Sequence, residues 1–271
     1  MYTPYAFLGG SPFVAPFSLS YDKKTTNAGS TRTSERNGDL TYDPDNDWWV
    51  ITARGGSTQT YTFQYDYDTD TQVSNDPISP GYSNEGIAYV SSNNFIMTKF
   101  QSTGGSKPNP TDYAFYEFNS TNNRYEQDGG NPNLAVDDSR DIAYNSITGE
   151  YYVIVPDQNK VYVYDSNLTN TSNFPVAGFA NEAGIGCIPE LNMILVVNRD
   201  PDGSGNNFFK SYSTVDGTFE ETYILSGSDM GSYFRIGGIA NDSTHRRLCI
   251  THNNSSTGGT ANKSEAWFYN Y

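Results

Sequence analysis

At 271 residues the chain is long enough for one large domain or two ordinary ones, with an adequate core either way. It is 35% hydrophobic and 17% charged, with 25 Gly, 13 Pro, 22 Tyr and 15 Phe, a balance of strand and turn formers that excludes a helical bundle. Lys and Arg number 16 against 31 Asp and Glu, a net charge of -15 and the wrong sign for neutralising phosphates, and no apolar run is long enough to span a bilayer, so neither nucleic acid nor membrane insertion is expected.

In chain order, the apolar, aromatic and Pro-rich stretch Tyr2–Phe17 comes first, without the positive n-region of a secretory signal. A virion or cytoplasmic location follows as the expectation. The stretch reads either as an extra hairpin on a rim or as a docking arm for a partner subunit. Phe17–Asp22 then has strand character and is followed by polar residues up to Gly38. Residues 1–37 are thus read as an N-terminal extension and 38–271 as the folded body.

Within that body one unit recurs. It opens on an aliphatic anchor, Leu40, Ile87, Ile142, Ile185 and Ile239 in turn, spaced by 47, 55, 43 and 54 residues. After a polar turn comes a second apolar stretch: Trp48–Ile51, Phe95–Met97, Tyr151–Val155, Met193–Val197 and Leu248–Ile250. A Gly/Asn/Ser/Pro-rich loop of variable length leads to a third, alternating aromatic strand: Tyr61–Tyr65, Phe115–Phe118, Val161–Tyr164, Phe208–Tyr212 and Trp267–Tyr269. Alternation at period two marks a half-buried strand. A weaker fourth segment is visible in Phe174–Phe179 and Phe219–Leu225.

Four short antiparallel strands per repeat of this length match a β-propeller blade, so the expected fold is all-β with five blades. A six-bladed ring and a sandwich or barrel of short strands are the alternatives. The chain stops at Tyr271, after the third strand of the fifth repeat, so the fourth strand of that blade is expected from the N-terminal region. The segments Asp141–Asn145, Gly149–Val153 and Val161–Asp165 together resemble a blade of the YVTN/NHL-type propellers, and the likeness extends less sharply over residues 38–271.

Chemistry-bearing residues are few. His245 and His252, the two histidines, read as turn and strand-end residues, and no GxSxG, HExxH or P-loop pattern is present. Cys187 and Cys249 sit in apolar surroundings and read as buried free thiols. The clusters Asp43–Asp47, Asp66–Asp70 and Asp200–Gly203 offer the oxygen ligands that Ca²⁺ needs, but each falls where a hairpin turn is expected and none has an EF-hand spacing. No cofactor is expected, with Ca²⁺ the one candidate.

A third constellation lies just ahead of the anchors, where a propeller presents side chains to its central channel. It comprises Asn37, Asp39, Asn84, Glu85, Arg140, Asp141, Asn181, Glu182 and Arg235, read either as a ligand site or as a structural girdle of opposed charges. Glu85 before Gly86 is similar in that one respect to the metal-binding Glu of gluconolactonase-like propellers, a resemblance that implies a Ca²⁺-dependent lactonase-like hydrolase as an alternative activity. Abundant Asn, Ser, Thr, Gly and Tyr without a catalytic motif favour a non-enzymatic binding or structural protein, such as a virion surface or appendage component. Its expected partners are protein subunits of an assembly or surface carbohydrate. An intracellular protein-interaction scaffold is the remaining alternative.

Overall fold

In the computed structural model the recurring unit folds as five separate four-stranded antiparallel sheets. The structure describes residues 17–25, 36–54, 59–80, 83–91, 94–100, 113–122, 124–127, 134, 136, 139–179, 183–198, 208–225, 234–254 and 264–271. The first strand, β1 (Ser20–Thr25), precedes blade 1, whose strands from the axis outward are β2 (Arg36–Asp43), β3 (Trp48–Arg54), β4 (Gln59–Asp66) and β5 (Thr71–Pro80). Blade 2 holds β6 (Ser83–Ser91), β7 (Asn94–Phe100), β8 (Tyr113–Asn119) and β9 (Arg124–Gln127). Blade 3 holds β10 (Asp141–Asn145), β11 (Glu150–Val155), β12 (Lys160–Tyr164) and β13 (Asn170–Pro175). Blade 4 holds β14 (Ala183–Ile188), β15 (Met193–Asn198), β16 (Phe208–Ser213) and β17 (Phe219–Ile224). Blade 5 combines β18 (Phe234–Asp242), β19 (Arg247–Asn254) and β20 (Ser264–Asn270) with β1 on its outside. The inner strands touch in the cycle β2, β6, β10, β14, β18 and back to β2, which makes the assembly a five-bladed β-propeller. Neither the six-bladed ring nor the sandwich forms.

The second strand of each blade carries an unbroken apolar run of three to five residues because both of its faces are covered there. Along β11, Tyr152 and Ile154 pack toward blade 4, while Tyr151, Val153 and Val155 pack toward blade 2. Along β15, Ile194 and Val196 join the blade 3 side, and Met193, Leu195 and Val197 the blade 5 side. Each such side chain is fully buried or nearly so, a contribution of roughly 1.5–3 kcal/mol apiece. The aromatics of the third strands close these seams further out. Phe268 stacks on Tyr65 at 5.7 Å and meets Trp49 edge-on at 5.6 Å, joining blade 5 to blade 1.

The outermost strands have only one ladder neighbour, and β13 and β17 are exposed at most positions, so no apolar alternation is required of these two. β13 is exposed at every position except Phe174, and it runs over Asn170–Pro175, not over the apolar residues Phe174–Phe179 expected from sequence. β5 and β9, polar in the same way, left no sequence signal at all.

Closure by the N-terminal region occurs as expected, with the strand three residues later than Phe17. Tyr21 pairs with Tyr269, Lys24 with Trp267 and Thr25 with Ala266 in an antiparallel ladder. A side-chain clasp reinforces the seam with blade 1. The Tyr67 ring, in the turn between β4 and β5, lies between Lys23 Nζ at 3.7 Å and the Arg247 guanidinium at 3.8 Å from its centroid, and its hydroxyl donates to Asp22. The remainder of the N-terminal stretch, residues 1–16, lies outside the described residues.

Buried phenols dominate the seams, and burial pushes the pKa of both Tyr151 and Tyr164 up from 10.0 to about 12. A raised phenol pKa means that the folded state prefers the neutral form, so this stabilisation is complete below pH 10 and is lost as the pH rises toward 12. An ultraviolet titration is therefore expected to show a late class of tyrosines whose ionisation coincides with loss of β-sheet ellipticity. Ionisation of every tyrosine near pH 10 with the fold intact would contradict this packing.

Candidate functional site

The anchors stand in the inner strands, whose free edges face the axis, and the residues just ahead of them are set by local irregularities. In blades 1, 2 and 5 the inner ladder slips immediately before the anchor, between Asn37 and Leu40, Asn84 and Ile87, and Ile236 and Ile239. Gly38–Asp39, Glu85–Gly86 and Gly237–Gly238 are thus bulged pairs, each opposed by one residue of the second strand: Thr52, Thr98 and Thr251. The bulge leaves a backbone group without its ladder partner, and in blades 1 and 5 the threonine hydroxyl supplies one. Thr52 Oγ1 accepts the Asp39 N–H at 2.9 Å and donates to the Asp39 carbonyl at 3.2 Å. Thr251 Oγ1 accepts the Gly238 N–H at 2.9 Å and donates across the closing seam to the Gly38 carbonyl at 3.3 Å. Blades 3 and 4 pair without a slip, and there the corresponding residues are aliphatic, Ile154 and Val197.

The five positions directly before the anchors are Asp39, Gly86, Asp141, Gly184 and Gly238. Both aspartates are fully buried. Asp39 Oδ2 accepts the backbone N–H of Ile87 in blade 2 at 3.0 Å, and its Oδ1 lies so close to blade 5 that a Cβ on Gly238 would come within 1.7 Å of it. Asp141 repeats the arrangement. Its Oδ2 accepts the Ile185 N–H of blade 4 at 2.8 Å, its Oδ1 accepts the Ile142 N–H at 2.7 Å, and a Cβ on Gly86 of blade 2 would come within 2.4 Å of Oδ1. Each carboxylate therefore touches three consecutive blades. Glycine takes the other three positions because two side chains cannot occupy the same point on the axis.

Of the expected channel constellation, Asp39 and Asp141 are thus brought to the axis and given backbone amide partners. Arg140 is half-buried, and its backbone N–H bonds to the Ile154 carbonyl at 3.0 Å. Asn37, Asn84, Glu85 and Arg235 lie by backbone at the starts of β2, β6 and β18, with side chains outside the described residues, as are Asn181 and Glu182 altogether. Beyond the constriction the axis widens into a cavity of about 50 Å³ lined by the anchors and by the small residues after them, Thr41, Ala88, Ala143, Gly186 and Ala240. At roughly 10–15 Å³ per water, that is room on the order of a few waters. Cys187 borders it, a free buried thiol whose pKa burial pushes up; Cys249 is likewise free and buried.

Asp43, Asp66 and Asp242, among the other acidic residues, bond the turns that they stand in. Asp43 Oδ1 accepts the Asp45 N–H at 2.9 Å, and Oδ2 accepts from Asn46 Nδ2 at 2.8 Å and Trp48 Nε1 at 3.0 Å; burial raises its pKa against these donors. Asp66 Oδ1 accepts the N–H groups of Thr69 and Asp68 at 3.0 and 2.9 Å, which hold its carboxyl below the ordinary range. Asp242 Oδ1 accepts the His245 N–H at 3.0 Å, and its Oδ2 lies 2.7 Å from His245 Nδ1, which fixes the ring in the turn. His252 lies in β19, with its side chain outside the described residues, as is the whole of Asp200–Gly203. Among the described residues no group of three or more His, Cys, Asp or Glu is placed to hold a metal ion.

These turns all lie at one end of the propeller, where inner strands finish. The joins from second to third strand and from blade to blade leave from the other end, and they differ widely in length: 55–58, 101–112, 156–159, 199–207 and 255–263 for the former class. On the rim of blade 2, Glu117 and Glu126 stand directly opposite across β8 and β9 and border a polar recess of about 390 Å³ that also includes Asn119 and Gln127. Asn119 and Asn122 amides hold the Glu126 carboxylate at 2.8 and 2.9 Å.

No known family model matches the chain, and no curated protein does. Among solved structures, the tail fibre of Staphylococcus aureus phage P68 is similar over 93% of this chain and 52% of its own, at 11% identity and a TM-score of 0.58. Hydrazine synthase of Kuenenia stuttgartiensis matches over 84% and 58% at 11% identity and a TM-score of 0.46, and the calcium-binding protein regucalcin of Agrobacterium tumefaciens over 91% and 93% at 10% and 0.48. The chain thus spans little more than half the length of the first two. At such identities the likeness establishes the β-propeller fold, and it goes no further.

The carboxylate bridges give a direct test. Asp39→Ala and Asp141→Ala each leave a buried amide of the next blade unpaired and are expected to cost about 3 kcal/mol in urea unfolding, while Asp68→Ala in an exposed turn stays within about 0.5 kcal/mol. Equal, small losses for all three would show that the axis is not held this way.

Proposed function

We propose that this chain is a non-enzymatic binding module that presents its variable loops to a partner, as a surface or appendage component of a virion. The observation that carries the reading is the division between the two ends. One end is built from short turns capped by their own Asp and Asn side chains, and the other carries every long join. A rigid scaffold with variable connections gathered at one end is the arrangement by which folds display recognition loops. The joins are rich in Gly, Ser, Asn and Thr, side chains suited to wet hydrogen-bonded contacts with protein subunits or carbohydrate. A propeller in a phage tail fibre is consistent with such use of the fold, as an analogy of architecture.

The test is a binding comparison on intact bacterial cells and on a panel of bacterial surface polysaccharides. Replacing residues 101–112 or 199–207 by Gly-Ser segments of equal length is expected to weaken binding at least tenfold, and Asp68→Ala on the opposite end to leave it unchanged. Chelating calcium is expected to change neither binding nor melting temperature. Lactone hydrolysis that disappears with chelator and with Glu85→Gln would overturn the reading in favour of a metal-dependent hydrolase.

A further inference from the structure

Each blade ends on an outer strand whose second edge has no ladder partner among the described residues, and sheets guard such edges with proline, lysine or brevity. β5 contains Pro77 and Pro80, β9 is four residues long, β13 ends on Pro175, and β1 carries Lys23 and Lys24. β17 has none of these guards, and its Phe219, Thr222, Tyr223 and Ile224 are strand-forming residue types. Its bulge at Glu220 does not set it apart, since the ladders of β1, β5 and β13 slip as well. From Glu221 to Ile224 it pairs in regular register with Phe208–Ser211. Exposed apolar side chains gather at the same place: Val215, in the turn before the strand, and Ile224 and Phe219 on it are 82%, 72% and 52% exposed. Ile224 stands opposite Phe208 and Phe219 opposite Tyr212, on the face turned to blade 3, whereas Tyr223 stacks on Phe209 at 4.8 Å on the face turned to blade 5. Glu221 shares the face of Tyr223 by alternation. Residues 214–225 hold Asp216, Glu220 and Glu221 with no Lys or Arg, and neither glutamate is in an ion pair among the described residues.

We propose that the free edge of β17 is a docking site for an extended segment of a different protein, one in which apolar residues alternate with lysine or arginine, and that this segment joins blade 4 as a fifth strand. Main-chain hydrogen bonds along the edge give such a strand its affinity, and the side chains choose its sequence. Because successive side chains point to opposite faces, its apolar residues lie beside Phe219 and Ile224 while its cations lie beside Glu221. Charge also selects a foreign strand over a second copy. Two β17 strands set side by side bring glutamates against glutamates, and whole chains of net charge -15 repel one another. The edge is on the rim, so a segment docked there leaves the long joins at the end of the propeller free.

The probe is a fluorescent peptide of alternating lysine and valine, long enough to span β17, titrated with the full chain and followed by anisotropy. It is expected to bind at least tenfold more tightly than a lysine–proline alternation, which keeps the charge but cannot join a ladder, and than a glutamate–valine alternation. Hydrogen exchange of the β17 amides is expected to slow at least tenfold when the lysine–valine peptide is bound. The double variant Glu220→Lys, Glu221→Lys should reverse the preference to the glutamate–valine peptide, a gain that a misfolded chain cannot produce. Phe219→Ser with Ile224→Ser should weaken binding at least fivefold, and Val73→Ser on the Pro-guarded β5 should leave it unchanged. No binding of the lysine–valine peptide, or equal binding of the lysine–proline peptide, would overturn the proposal. So would a doubled mass of the free chain in light scattering that Phe219→Ser with Ile224→Ser halves, which would place a second copy on the edge. None of these outcomes depends on what the loops bind.

Discussion

A ring of sheets can be only as sound as its axis, and in this propeller the axis depends on two buried carboxylates accepting backbone amides from the next blade. An inner strand has one ladder partner, so the groups on its other edge must find partners across the ring or in water. Asp39 and Asp141 meet that requirement at the narrowest point, each reaching three of the five blades. Between them the contacts are backbone against backbone, which glycine alone permits: a Cβ at Gly186 would come 2.6 Å from the Ile239 carbonyl oxygen. The two acids and three glycines of this ring are therefore one device, in which the space given up by one position is taken by the carboxylate of another.

The rest of the molecule follows outward from that constraint. In blades 1 and 5 the hydroxyls of Thr52 and Thr251 repair the backbone that the bulges disturb. The apolar second strands then pack on both faces, the aromatic third strands seal the wedge between blades, and the fourth strands meet solvent. Ring closure adds a different chemistry at the periphery: the Tyr67 ring clasped between Lys23 and Arg247 holds blade 5 and blade 1 together where the ladder of β1 has no apolar support from outside. Along the axis the two bonded carboxylates stand ahead of a cavity of about 50 Å³.

How much of this could be read from the chain depends on how many faces a strand buries. The anchors Leu40, Ile87, Ile142, Ile185 and Ile239 and the runs that follow them gave five blades, and the stop at Tyr271 after a third strand gave closure by the N-terminal region, because both patterns are imposed by burial. β5 and β9 were invisible and β13 misplaced, since an outermost strand pairs on one side only and, exposed as β13 is, leaves composition free. Asp39 and Asp141 were legible as residues near the axis, but sequence does not distinguish a carboxylate aimed at a ligand from one bonded to a neighbouring blade. A signal for the bulges did exist: Ile51-Thr52, Met97-Thr98 and Ile250-Thr251 place a threonine directly after the residue that pairs with the anchor, where the unbulged blades have Ile154 and Val197.

The role of the axis is most directly measured by native-state hydrogen exchange. The Ile87 and Ile185 amides, donors to the two carboxylates, are predicted to exchange only through global unfolding, with protection that matches the stability of the whole chain. Exchange at those two positions as fast as in the exposed strands β13 and β17 would show that the ring opens at its centre while the blades persist, and would contradict the account.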